Sequence, residues 1–221
     1  MFQKRRTLLK LTCEKEEDNT FEEIARYSNV EASEWSWGPI FVDVDFDGYE
    51  DILVTNGQLR DFQNADMAAV IDREKKEKGL SQSKVMNLLS KFPDLRTANV
   101  AFRNNKNGTF SDYSSQWGFD QAGISQGMAL ADLDNDGDMD VIMNNLFEIA
   151  GVYENQSPNS RIRIQLKGIK NINGVGARIV LTQNGLVQTQ EIICAGRYLS
   201  SDQSIRTFGI QNKVSDISIF W

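Results

Sequence analysis

The chain has 221 residues, 40% of them hydrophobic and 25% charged, with a formal net charge of −7, the balance of a soluble globular protein with one or two buried cores. It contains no histidine, which excludes Ser-His-Asp and Cys-His nucleophile systems, His-ligated zinc and the commonest general base at neutral pH. An acidic balance without a basic stripe disfavours nucleic acid as a partner, and two cysteines, Cys13 and Cys194, are too few for a disulfide framework or a four-thiolate site.

The cysteines read as two buried small hydrophobes. At the start of the chain, Lys4-Arg5-Arg6 and the run from Thr7 to Cys13 imitate a signal peptide. Lys10 interrupts that run and Thr12 does not suit a lipoprotein cleavage site, so it is not read as a targeting segment. No stretch is long and apolar enough for a membrane span, so no membrane insertion is expected.

The first chemistry-bearing stretch is Asp43-Val44-Asp45-Phe46-Asp47-Gly48-Tyr49-Glu50-Asp51, and it recurs as Asp132-Leu133-Asp134-Asn135-Asp136-Gly137-Asp138-Met139-Asp140. Both read D-x-D-x-D-G-x-x-D. Carboxylates this close repel one another unless a cation sits among them, and oxygen-only ligation suits a hard ion such as Ca²⁺. Positions 1, 3 and 5 offer one oxygen each, the glycine at position 6 allows a sharp turn, Tyr49 and Asp138 at position 7 offer carbonyls, and position 9 closes the shell. Two Ca²⁺ sites are therefore expected, which would bring the net charge from −7 to −3. An EF-hand would need Glu at position 12, where Val54 and Met143 stand. The flanks Ile40-Phe41-Val42, Ile52-Leu53-Val54, Met128 to Ala131 and Val141-Ile142-Met143 read as buried strands, so each loop joins two strands. One such loop alone could be a solvated acidic turn. Two in register make that improbable.

The loops begin 89 residues apart, and the offset also aligns Thr20-Phe21 with Thr109-Phe110, Ser36 with Ser125, Gly38 with Gly127 and Asn56 with Asn145. Such an internal repeat of strand-rich units predicts a propeller or solenoid. Trp35 and Trp37 fall on one face of an extended segment and read as packing residues more than as a sugar platform. From Asn64 to Lys78 the spacing predicts a helix ended by Gly79, followed by a second helix capped by Ser81, with Val85, Leu89 and Phe92 on one face, stopped at Pro93. Together they form a helical insertion over about 61–95. Strands resume at Asn99, and Asn107-Gly108 predicts a tight hairpin turn. The triplets Asn107-Gly108-Thr109 and Asn155-Gln156-Ser157 are formal glycosylation sequons that arise easily by chance. Beyond Pro158 longer alternating strands, Arg161 to Leu166, Ala177 to Leu181 and Val187 to Ile193, predict a small β domain. The loop Gly174-Val175-Gly176 resembles a phosphate loop only superficially, because no helix follows it.

The paired acidic loops, with Trp37-Gly38 before one and Gly127 before the other, resemble FG-GAP/VCBS repeats of integrin-like β-propellers. Asn173 to Ile179, Gly196 to Asp202 and Phe208-Gly209-Ile210 resemble an ASPIC/UnbV domain, with Arg197 and Gln211 where that family tends to have glycine. The expected fold is mainly β: about two blades of a calcium-binding propeller over 1–159, then an ASPIC/UnbV-like domain over 160–221, truncated at its C-terminus. The resemblance implies Asp43, Asp45, Asp47, Asp51, Asp132, Asp134, Asp136 and Asp140 as side-chain ligands, with Tyr49 and Asp138 contributing carbonyls. It also implies an extracellular or cell-surface location. The expected function is non-catalytic binding of a protein or glycan; the alternative is a Ca²⁺-dependent carbohydrate-active enzyme using Tyr, Lys or Arg instead of His. Two units are fewer than the four to eight that close a propeller. The chain is thus expected to be part of a larger protein whose missing blades are partners, and to expose apolar surface when made alone.

Overall fold

A computed structural model describes residues 12–14, 21–78 and 81–221. The basic start, Thr20 and Gly79 lie outside the described residues. Strand β1 (Thr12–Glu14) pairs with β2 (Phe21–Glu23).

The first repeat unit is an antiparallel sheet in the order β3, β4, β6, β7. Its strands are β3 (Ser36–Val42), β4 (Asp51–Asn56), then, beyond the insertion and β5 (Thr97–Ala98), β6 (Val100–Asn104) and β7 (Phe110–Asp112). Every residue of β4 is buried, as its apolar run predicts for a strand covered on both faces. The second unit runs from β8 (Ala122–Gly123), which pairs with β5, through β9 (Ser125–Ala131), β10 (Asp140–Asn145) and β11 (Gly151–Tyr153). Here β10 lies between β9 and β11. The repeat read from the 89-residue offset is present in the register itself. Ser36 faces Asn56 and Val42 faces Asp51 in the first unit; Ser125 faces Asn145 and Ala131 faces Asp140 in the second.

Two helices interrupt the first unit, α1 (Ala65–Lys78) and α2 (Gln82–Leu89). Asn64 caps α1, its Oδ1 accepting the Met67 N–H at 3.0 Å. Ser81 occupies the cap position of α2 with extended backbone, but its side chain makes no capping bond and lies 3.1 Å from the Ser83 hydroxyl instead. The apolar face of α2 is also turned from the one expected: Leu88 is buried with Phe92 and Ile71, whereas Val85 and Leu89 are only half-buried. The reason is that α2 packs on Ile71 and Met67 of α1, and that contact selects Leu88.

A five-residue loop replaces the expected two-residue turn at Asn107-Gly108, because Asn104 and Phe110 are the last paired residues. Lys106 and Gly108 take positive φ, and the Asn107 side chain accepts the Thr109 N–H.

The C-terminal unit comprises β12 (Arg161–Gln165), β13 (Arg178–Gln183), β14 (Leu186–Glu191), β15 (Ile205–Gly209) and β16 (Val214–Phe220). Strand β12 pairs with β15, and β13 lies between β14 and β16. Its core gathers Leu166, Ala177, Ile179, Leu181, Ile192 and Phe208. Cys194 follows β14 and is exposed, not buried as its residue type suggested, because it sits in the loop beyond the last core residue of that strand, Ile192. The side chain of Cys13 is not described.

The three units share a core. Ile40, Leu53 and Ala101 of the first, Phe119, Met128, Leu130, Met139 and Met143 of the second, and Ile205 of the C-terminal unit form one cluster. Residues 198–203 of the C-terminal unit run along β9: the Ser200 hydroxyl donates to the Met128 carbonyl, the Leu130 N–H to Asp202 Oδ1, the Gln203 N–H to the Leu130 carbonyl and the Asp132 N–H to Gln203 Oε1. These bonds satisfy an edge that would otherwise be an open template. Trp37 stacks on Tyr198 of the same segment with ring centroids 5.3 Å apart, and Trp35 lies 6.5 Å from Trp37, so both tryptophans pack. The described sheets do not close into a barrel.

Candidate metal centres at the two acidic loops

Each acidic loop connects paired strands, β3 to β4 and β9 to β10, so the backbone leaves one strand and returns in the next within nine residues. The glycines at position 6, Gly48 and Gly137, have φ of 90° and 96° as the turn demands. A second left-handed residue stands at position 4 of each loop: Phe46 with φ 53° and Asn135 with φ 64°. Asparagine tolerates this, whereas phenylalanine is strained by about 1–2 kcal/mol. Surrounding contacts hold it there, since Phe46 is buried, Arg161 lies over its ring at 5.4 Å and its carbonyl accepts Gln211 Nε2 at 2.7 Å.

The position-9 aspartates close the loops in a way the motif spacing does not reveal. Asp51 accepts the Val44 N–H on Oδ2 (3.0 Å) and the Asn104 N–H on Oδ1 (2.8 Å). Asp140 accepts the equivalent Leu133 N–H on Oδ2 (2.8 Å) and the Asn155 N–H on Oδ1 (2.9 Å). Both are 1% exposed. Each ties its loop to the next strand segment of its own unit. Both oxygens of each carboxylate thus accept a backbone hydrogen bond, a role in addition to the shell closure expected of position 9.

The carboxylates converge in two groups. Ligand oxygens of Asp43, Asp45 and Asp51 lie within 4.8 Å of one another, as do those of Asp132, Asp134 and Asp136. Asp47 pairs with Arg103 Nη2 (3.1 Å) and Lys106 Nζ (3.0 Å), and the same guanidinium holds Asp45, whose Oδ2 accepts Arg103 Nε at 2.6 Å. In the second loop Arg161 Nη2 reaches Asp136 at 2.8 Å, and Arg163 pairs with Asp132. Tyr49 has its ring beneath Lys106 at 5.2 Å. Asp138 stands at position 7, where the spacing assigned only its carbonyl. Its side chain is 1% exposed with both oxygens lacking hydrogen-bond partners, and Arg161 lies 3.2 Å away without hydrogen-bond alignment.

Electrostatics follow from this crowding. Burial, with Asp47 and Asp51 adding repulsion, pushes Asp43 up to about 8 against the opposing N–H bonds of Gly48 and Asp47. Burial likewise pushes Asp51 up to about 7, with Asp45 and Asp47 adding to it. Asp138 is raised by burial, and Asp136 is lowered, first by the Asp138 N–H bond and then by Arg161. Carboxylates held near one another in this state favour a bound cation, because the ion offsets both desolvation and mutual repulsion.

Residues 92–143 match the family described as FG-GAP-like repeat, and residues 168–221 match the family described as ASPIC and UnbV. The chain carries an FG-GAP-like repeat followed by an ASPIC/UnbV unit. No curated protein matches it. The FG-GAP match spans the second acidic loop, and the first loop shares its register and closure. The ASPIC/UnbV match takes in residues 198–203 and most of the C-terminal strands. The segment bearing Arg161 and Arg163 lies between the two matches, joining the repeat to the ASPIC/UnbV unit. Sequence reading passed over these two arginines, because nothing in an alternating strand marks a residue that reaches a loop 25 or 31 positions upstream. No helix among the described residues is long and apolar enough to cross a membrane.

Proposed function

We propose that the chain is an extracellular or cell-surface binding module, non-catalytic, whose two acidic loops hold Ca²⁺ and keep the surface rigid for a protein or glycan ligand. One observation carries the reading: the same loop occurs twice with the same backbone closure, and in both it gathers carboxylates that lack a full set of partners. Asp45 Oδ1, Asp132 Oδ1 and both oxygens of Asp138 are buried without hydrogen bonds. Such groups cost about 1–3 kcal/mol each if left so, and a hard cation with oxygen ligands is the partner their chemistry fits. Asp43, Asp45, Asp47 and Asp51, with the Tyr49 carbonyl, would hold the first ion. Asp132, Asp134, Asp136 and Asp140, with Asp138, would hold the second. Bound there, each ion would neutralise the carboxylates and lock the loop that joins its two strands.

Calorimetric titration of the chelator-treated chain with calcium chloride is expected to give two binding events per chain. A flat titration, or two events that persist when Asp45 and Asp134 are both alanine, would overturn the metal assignment. Incubation with a panel of glycans tests the non-catalytic part, and the appearance of unsaturated ends would contradict it.

A further inference from the structure

In the first repeat unit the acidic loop is neutralised from within. Arg103 belongs to β6, the strand beside β4, and follows Phe102, which pairs with Ile52. Its Nε and Nη2 hold Asp45 and Asp47. In the second unit the equivalent pairing is Tyr153 with Val141, and the residue that follows is Glu154, an acid. This loop carries five aspartates, Asp132, Asp134, Asp136, Asp138 and Asp140, as many acids as the first loop has with Glu50 counted. Its positive charge comes instead from β12, at the edge of the ASPIC/UnbV unit. Arg161 bonds Asp136 at both its carbonyl (3.2 Å) and Oδ2 (2.8 Å), faces Asp138 at 3.2 Å, donates to the Ser157 carbonyl and covers the Phe46 ring. Arg163 takes Asp132 Oδ2, leaving Oδ1 without a partner.

Resting on the calcium reading of the loops, we propose that Arg161 and Arg163 form a clasp that competes with the ion at the second loop. A divalent cation there and the β12 guanidiniums draw on the same carboxylates, and at such distances their like charges repel. Binding the ion therefore loosens β12 and the junction it makes. Reciprocally, a docked β12 lowers the second loop's affinity, since coupling between two binding events is symmetric. The first loop takes the arginine that holds its carboxylates from its own sheet, and Arg161 meets it only at the Phe46 ring, not at a carboxylate. The two sites thus differ in role: the first holds an ion constitutively, and the second reports the ion concentration to the join between repeat and ASPIC/UnbV unit.

The test is calcium titration by calorimetry of the full chain carrying Asp45→Ala, which silences the first loop so that heat reports the second. Adding Arg163→Gln, or in a separate variant Arg161→Gln, is expected to tighten that site by about tenfold, while Arg178→Gln, whose guanidinium lies over the Phe220 ring, leaves it within twofold. Hydrogen exchange on the unmodified chain gives a second readout: calcium is expected to speed exchange of the amides of β12 paired with β15, and to have no such effect when Asp134→Ala disables the second loop. Unchanged or weaker affinity in both arginine variants would overturn the clasp, as would slower exchange in β12 with calcium. Absence of any calcium binding in the unmodified chain would remove the metal reading itself, and the clasp with it.

Discussion

Asp51→Ala is expected to lower the melting temperature by roughly 6–12 °C and to remove one equivalent of bound calcium. Two backbone donors, the N–H groups of Val44 and Asn104, end on its carboxylate inside the protein. Leaving such donors unpaired costs about 1–3 kcal/mol apiece, and about 3 kcal/mol moves the midpoint of a chain this size by that range. Part of the loss is returned, because removing Asp51 takes away a like charge that adds to the burial-driven rise of Asp43. Asp51→Asn separates the two contributions. It keeps an acceptor for one donor while discarding the charge, so its melting temperature is expected between those of the parent and the alanine variant. An alanine variant as stable as the parent would show that the carboxylate does not hold the loop closed.

Gly209→Ala is expected to cost about 3 kcal/mol or more and to detach the C-terminal unit from the first acidic loop. A Cβ at this position would stand 2.4 Å from the Phe46 carbonyl oxygen, 2.5 Å from its carbon and 2.7 Å from Asp43 Oδ2. Two of these are backbone atoms, which cannot swing aside as a side chain does, so overpacking falls on the loop itself and its cost lies at or above the usual 1–3 kcal/mol. Gly185→Ala is the comparison. That glycine has φ 84° but nothing within 4 Å of its would-be Cβ, so only the backbone penalty of about 1–2 kcal/mol applies. Detachment would also break the bond that Gln211 Nε2 donates to the Phe46 carbonyl at 2.7 Å. Limited proteolysis between Glu154 and Ser160 reads detachment directly. If the Gly209 variant is no more cleavable and no less stable than the Gly185 variant, the close approach at Phe46 is not a structural constraint.

What was legible in the sequence has a local cause. The acidic loops, their glycines and their flanking strands follow from spacing within nine residues, and the repeat follows from an offset that also fixes the cross-strand pairs Ser36 with Asn56 and Ser125 with Asn145. The helices follow from periodicity, although the buried face of α2 was set by Ile71 and Met67 of its neighbour. Illegible were the features that depend on distant chain segments. The segment 198–203 completes the edge of β9 about 70 residues earlier in the chain, and Asn155 donates to the Val44 carbonyl at 2.9 Å across 111 residues. Asp51 and Asp140 looked like ligands by position alone, yet their oxygens also hold backbone groups of the next strand segment. Cys194 looked apolar by residue type, while its loop lies outside the core.

Cations in the two loops are expected to hold this fold together. Thermal unfolding of the full chain in excess calcium and in excess chelator tests it most directly, because an ion that binds the folded loops and not the unfolded chain raises the melting temperature by mass action. The expected result is a higher midpoint in calcium, reduced by Asp45→Ala or Asp134→Ala alone and abolished when both are present. Coincident melting curves in calcium and chelator would contradict it.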